Sequence, residues 1–147
     1  MDNVLFGNYS VKYNNSMIDD KTDDYSNNYH CLSFYDTIVG VVIFRLFLSL
    51  DILDKFISKL SKLIDSGSTT ESIYDEDISV LYSIDILANG IDYNYGHILL
   101  MKTRSNQFKM AIYLTNMFNK RKYNYFTSFT KENAIELINK IENLVCI

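Results

Sequence analysis

The feature that most restricts the fold is a helical stripe that occurs twice with the same steps, 81 residues apart. From Asp51 to Ser66, Leu53, Phe56, Ile57, Leu60, Leu63 and Ile64 keep one face apolar while Lys55, Lys59 and Lys62 fall on the other. That is the pattern of an amphipathic helix, which must bury its stripe. Ser49 is placed to cap the first turn, Asp51 and Asp54 suit the positive end of the helix dipole, and Gly67 supplies a stop. From Lys131 to Val145 the stripe is Ala134, Leu137, Ile138, Ile141, Leu144 and Val145, with Thr130 as N-cap and Glu132 in the first turn.

Each stripe follows sequence rich in β-branched and aromatic residues, which predicts strands. Before the first helix these are Tyr29 to Tyr35 and Ile38 to Leu48; before the second they are Ile78 to Leu87, Gly96 to Arg104, Gln107 to Met117 and Tyr123 to Phe129. Leu81, Ser83, Asp85 and Leu87 alternate with Val80, Tyr82, Ile84 and Ile86, as in a strand with one wet face. Ser105-Asn106 predicts a tight hairpin turn, whereas Asn89-Gly90 opens a longer connection that holds Tyr93 and Tyr95. The expected fold is α+β, a mostly antiparallel β-sheet with two amphipathic helices in sheet, helix, sheet, helix order, forming one domain over residues 1–147. The unequal strand counts before the two helices argue against internal duplication. Asn14 to Asn28, with Asp19, Asp20, Asp23 and Asp24 among Asn and Ser, reads as an acidic surface loop.

A chain of 147 residues with 48% hydrophobic residues can bury one contiguous core. Met1 to Tyr13 lacks the basic start and apolar run of a signal peptide. The run Ile38 to Leu48 is broken by Arg45 and falls far short of the roughly 20 residues that span a bilayer. A cytoplasmic location is therefore expected, with Ile38 to Leu48 as a buried strand. Cys31 and Cys146 stand far apart without a C-x-x-C pair or metal-ligand spacing, so reduced core thiols are expected.

No catalytic constellation is legible. His30 and His97 are the only histidines. His30-Cys31 suggests a thiol and a base, but neighbours on a strand point to opposite faces. Asp19 to Asp24 lack the alternating ligands, central Gly and terminal Glu of a calcium loop, and the five glycines form neither a phosphate loop nor a dinucleotide fingerprint. The chain is expected to be no enzyme and to need no metal or cofactor.

Charge divides the sequence. Residues 1–101 hold 6 basic and 15 acidic side chains, a net −9, and residues 102–147 hold 8 and 3, a net +5. Such asymmetry speaks to partners and encounter rates. Asp75, Glu76 and Asp77, with Glu71 and Asp85, form an acidic cluster that reads either as a solvated edge or as a docking surface for a basic partner. Tyr93 and Tyr95 are candidate aromatic anchors beside it. Lys120, Arg121 and Lys122 precede Tyr123, Tyr125 and Phe126, either a plain turn between strands or basic residues interleaved with stacking platforms for single-stranded nucleic acid. An isoelectric point near 5.0 disfavours sequence-independent phosphate binding by the whole chain.

The stretch Asp24-Tyr25-Ser26-Asn27-Asn28-Tyr29-His30-Cys31-Leu32-Ser33-Phe34, the strand through Phe44, the helix from Asp51 to Ile64, the strand from Ile78 to Leu87, Gly96-His97-Ile98 and the closing strand and helix together resemble the WapI-type bacterial immunity proteins. The resemblance implies a protein that binds and neutralises the toxic C-terminal domain of a wall-associated or contact-dependent toxin. It supplies no catalytic residues. The expectation carried forward is an inhibitor that occludes a basic toxin domain through Glu71, Asp75, Glu76, Asp77, Asp85, Tyr93 and Tyr95. The alternative is a single-stranded nucleic-acid-binding domain that uses residues 120–126.

Overall fold

A computed structural model of the protein describes residues 3–17, 28–65, 78–87 and 94–145. The first half runs β1 (Val4–Phe6), β2 (Tyr9–Met17), β3 (Asn28–Asp36), β4 (Val42–Leu48) and α1 (Leu50–Asp65). The second runs β5 (Ile78–Ile86), β6 (Asn94–Thr103), β7 (Phe108–Asn116), β8 (Lys122–Phe129) and α2 (Lys131–Val145). Each half is a four-stranded antiparallel meander in sequence order, followed by a helix. The α+β class, the antiparallel sheets and both helices agree with the sequence expectation.

The strand counts do not. They are equal, because β1 and β2 precede β3, and the argument against duplication disappears with that inequality. Gly7-Asn8 joins β1 to β2 as a two-residue turn, with Gly7 at φ 62°; Gly-Asn between two apolar runs is the signal that marks this hairpin. Asn14 to Met17 continue β2, and Asn28 begins β3, so both ends of the expected loop over 14–28 belong to strands. Its aspartates lie outside the described residues.

Ile38 to Leu48 is likewise not one strand. Residues 37–41 form a turn, with Ile38 90% and Val39 72% exposed, and the strand starts at Val42. The turn is fixed by the Asp36 N–H donating to the Val41 carbonyl at 2.8 Å and the Val39 N–H donating to Asp36 Oδ2 at 2.9 Å. Local side-chain bonding of this kind outcompetes an apolar run for the strand. The β7–β8 turn repeats it 80 residues later. There the Asn116 N–H donates to the Arg121 carbonyl at 2.8 Å, and Asn116 Oδ1 accepts from Phe118 and Asn119.

Both helices start as their caps predict. The Ile52 N–H donates to Ser49 Oγ, the Asn133 N–H donates to Thr130 Oγ1, and Asn133 Oδ1 returns the bond to the Thr130 N–H. This last pair is a capping box with Asn in the usual Glu or Gln place. α1 buries Leu53, Phe56, Leu60, Leu63 and Ile64, and α2 buries Ala134, Leu137, Ile138 and Ile141. Leu144, expected on the apolar stripe, is 37% exposed, since the last turn of α2 reaches past the core.

The helices are exchanged between halves. α1 packs chiefly on β5 and β6, and α2 packs on β1 and β2. Between them the inner faces of both sheets close one core, crossed by a chain of rings. Phe34 stacks on Phe44 at 4.4 Å, Phe44 on Tyr125 at 4.0 Å, and Phe6 on Phe129 at 4.4 Å. The Gly7 turn is tied to the other half by its own N–H to Asn133 Oδ1 and by the Asn8 N–H to Thr127 Oγ1.

Candidate binding surface

Strand alternation decides which side chains of the second sheet can meet a partner. The inner set, including Ile84, Ile86, Ile98, Leu100, Met110, Ile112 and Leu114, belongs to the core, and Lys59 of α1 lies over the Tyr82 ring on that side at 5.1 Å. The outer face follows from the register. One rung is Asp85, His97, Tyr113 and Asn124; the next in one direction is Tyr95, Thr115 and Lys122, and in the other Ser83, Leu99, Ala111 and Phe126. Thus β5 to β8 present a ring cluster to the outside. His97 lies 5.2 Å from Tyr113, and Tyr113 meets Phe126 edge-on at 5.6 Å and 82°. Phe126 is 56% exposed.

Of the acidic surface expected from sequence, Asp85 and Tyr95 stand on this face, while Glu71, Asp75, Glu76, Asp77 and Tyr93 lie outside the described residues. Asp85 and Tyr95 occupy different rungs, and Tyr95 belongs with base rather than acid, because Lys120 Nζ sits 5.9 Å from its ring centre. The described residues as a group hold 13 basic and 8 acidic side chains. Lys109 and Lys122 are exposed on the outer face itself, with Lys120 and Arg121 at its β7–β8 end.

The basic-aromatic segment is split by the same alternation. Lys122, Asn124 and Phe126 face outward, but Tyr123 and Tyr125 are partly buried against the core. They are not open stacking platforms. Sequence spacing had the information, since residues of one parity on a strand share a face. Phe126, expected as a stacking platform, does face outward, beside half-buried Tyr113 and His97, for which the sequence indicated no binding role. Each stands on the outward alternation of its own strand, and the register of β6, β7 and β8 brings the three together.

His30 and Cys31 diverge as expected. His30 is buried on the inner face, stacked on Tyr13, with the Tyr13 hydroxyl hydrogen-bonded to Nδ1. Burial lowers the His30 pKa against the pull of Asp54, and raises that of the Tyr13 phenol. Both shifts favour the neutral forms, an uncharged imidazole and an un-ionised phenol that share this hydrogen bond. Cys31 faces the other way with Sγ 3.5 Å from Ser33 Oγ, and burial pushes its thiol up despite that hydrogen bond and the Arg45 charge. A raised thiol pKa is the opposite of what an activated nucleophile needs. Cys146 lies outside the described residues.

A cleft of about 270 Å³ opens where the edge of β4 meets the inner face of β6, β7 and β8. Tyr123 and Tyr125 line it with Phe44, Arg45 and Asn94. No helix among the described residues is long and apolar enough to cross a membrane. In comparison with known proteins, no family model and no curated protein matches the chain, so its likeness to WapI-type immunity proteins rests on sequence layout.

Proposed function

We propose that this chain acts by binding a partner protein and occluding it, as an immunity protein or inhibitor of a toxin domain does, through the outer face of the second sheet. The observation that carries this reading is the outward ring cluster of half-buried His97 and Tyr113 with exposed Phe126, and exposed Tyr95 on the next rung, on a sheet whose other face is filled by α1 and the core. Rigid aromatic side chains add contact area at little entropic cost and dominate binding hot spots. An exposed apolar patch held on strands is a natural interaction surface. Asp85 lies at one side of the cluster and Lys122 at the other, so orientation would be set by charge as well as shape.

The test is capture of a WapI-type toxin domain, read by titration calorimetry. Phe126→Ala and Tyr95→Ala are expected to weaken binding by about thirtyfold each, the scale of a hot-spot truncation. Joint reversal of Asp75, Glu76 and Asp77 to Lys reports on the acidic segment. Unchanged affinity at low salt in that triple variant removes the acidic surface, and unchanged affinity in both aromatic variants removes the sheet face.

The basic rim of Lys109, Lys120, Arg121 and Lys122 beside exposed Phe126 and Tyr95 favours one second reading, a platform for single-stranded nucleic acid. Labelled oligonucleotides at low salt decide it. Absence of binding at tens of micromolar protein removes it.

A further inference from the structure

The turns that join β3 to β4 and β7 to β8 are apolar where turns are usually polar. Gly, Asn, Asp, Ser and Pro dominate such positions, yet the first turn exposes Ile38, Val39 and Val41, and the second exposes Met117 and Phe118. Phe118 stands 80 residues after Ile38, at the same place in its turn, and the two are 77% and 90% exposed. Side chains so placed add nothing to the core, and water disfavours them. Single apolar residues scattered on a surface are ordinary, whereas a cluster held in both halves marks an interaction site.

The backbone of each turn is suited to leaving water. In the first, the Val39 N–H donates to Asp36 Oδ2 and the Gly40 N–H to the Asp36 carbonyl. In the second, Phe118 and Asn119 donate to Asn116 Oδ1, Lys120 donates to the Asn116 carbonyl, and Arg121 donates to Asn119 Oδ1. An apolar medium penalises every unsatisfied donor, and these are satisfied inside the turn.

Charge singles out the same end of the molecule. Residues 116–122 hold Lys120, Arg121 and Lys122, all exposed, and no carboxylate, while residues 37–44 hold no charge. The chain is −4 overall, but a screening length of about 8 Å at physiological salt makes the local balance the one that a nearby surface meets. The turns also neighbour each other. Ile43, two residues past the first, and Asn116, which opens the second, line the same cleft.

We propose that the two turns dock the protein on an anionic lipid surface. Ile38, Val39, Met117 and Phe118 enter the boundary between headgroups and acyl chains, and Lys120, Arg121 and Lys122 meet the headgroup charge. Affinity for such a surface rises with the apolar area buried and with the cations at the boundary, and the turns supply both. Insertion is shallow, about 5–10 Å, and needs no spanning segment.

The chain has no Trp, so Phe118→Trp and Ile38→Trp each install a single reporter at an exposed position of the full chain. With vesicles of phosphatidylcholine and phosphatidylglycerol at about 7:3, both are expected to show blue-shifted emission, quenched by lipids brominated near the headgroup end of the acyl chain. In cosedimentation with the same vesicles, joint Lys120→Asn, Arg121→Gln and Lys122→Gln is expected to weaken partitioning by about 100-fold. Joint Ile38→Gln and Phe118→Gln is expected to weaken it by about thirtyfold. Phe126→Ala should leave it unchanged, which separates the turns from the sheet face proposed to hold a toxin domain. Unshifted emission, a shift at one turn only, or equal shifts with phosphatidylcholine alone would overturn the proposal. So would vesicle binding that survives the Gln pair and is competed away by an oligonucleotide, since that describes a site for polyanions.

Discussion

The two halves share a backbone plan and differ in what they show to solvent. Both turn from third to fourth strand through an Asx-type loop, at Asp36 and at Asn116, and both cap their helix with a hydroxyl, Ser49 and Thr130. On the outer faces the likeness ends. The first sheet carries buried Cys31 and Ser33 beside Arg45 and Phe47, while the second carries His97, Tyr113 and Phe126 at the centre and lysines at the edge. Where a scaffold is repeated and one face diverges, the repeated part answers to folding and the divergent part is free to answer to a partner. Selective loss of binding on change of the second face, with stability intact, is the outcome this comparison requires.

The exchanged helices give the largest expected effect. Phe56→Ala in α1 should cost about 4 kcal/mol and Leu137→Ala in α2 about 3 kcal/mol in urea unfolding, and each should lower the one cooperative transition rather than split it. Two separated transitions would show that the halves fold independently and would break the comparison. Gly7→Ala comes next, at about 3 kcal/mol, because a Cβ there would stand 2.0 Å from Thr127 Oγ1 and 2.3 Å from the Ser128 carbonyl oxygen. Asn133→Ala should cost about 1–2 kcal/mol, since it removes acceptors from both the Thr130 and the Gly7 N–H.

Smaller effects sharpen the comparison. His30 has a folded pKa below its ordinary value because burial disfavours the cation. The unfolded chain therefore binds the extra proton first, and the stability held by a neutral His30 is lost as pH falls from about 6.5 toward the folded pKa. The thermal midpoint of His30→Gln should fall less steeply than wild type between about pH 7 and 5; parallel slopes would remove His30 from the account. Gly40→Lys should cost only about 1 kcal/mol. Gly40 has φ 78° with nothing within 4 Å of an added Cβ, and the second half already places Lys120 at φ 61° in the same turn.

Long stripes and alternation were legible before the structure. The α2 limits, both caps and the wet face of β5 follow from periodicity, which tertiary packing reinforces rather than overrides. β1 and β2 escape the sequence reading although Tyr9, Val11 and Tyr13 alternate with Ser10, Lys12 and Asn14 as a half-buried strand does, because that run passes directly into residues of loop-like composition. The hairpin at Gly7-Asn8 is the better signal. Of the expected acidic face, Asp85 and Tyr95 are placed; Phe126 was legible within the basic-aromatic segment, whereas its neighbours His97 and Tyr113 join it only through the register of three strands, which no single segment reveals.

The exchange of helices also bears on how the chain is made. As the protein emerges from the ribosome, α1 is complete well before the strands it packs on, β5 and β6, have been synthesised. Its stripe of Leu53, Phe56, Leu60 and Leu63 then has only the lesser part of its native packing, against β3 and β4, and β1 and β2 wait still longer for α2. Contacts of such sequence separation close late, so nascent chains whose α1 has just cleared the ribosomal exit tunnel should engage holdase chaperones until the second sheet arrives.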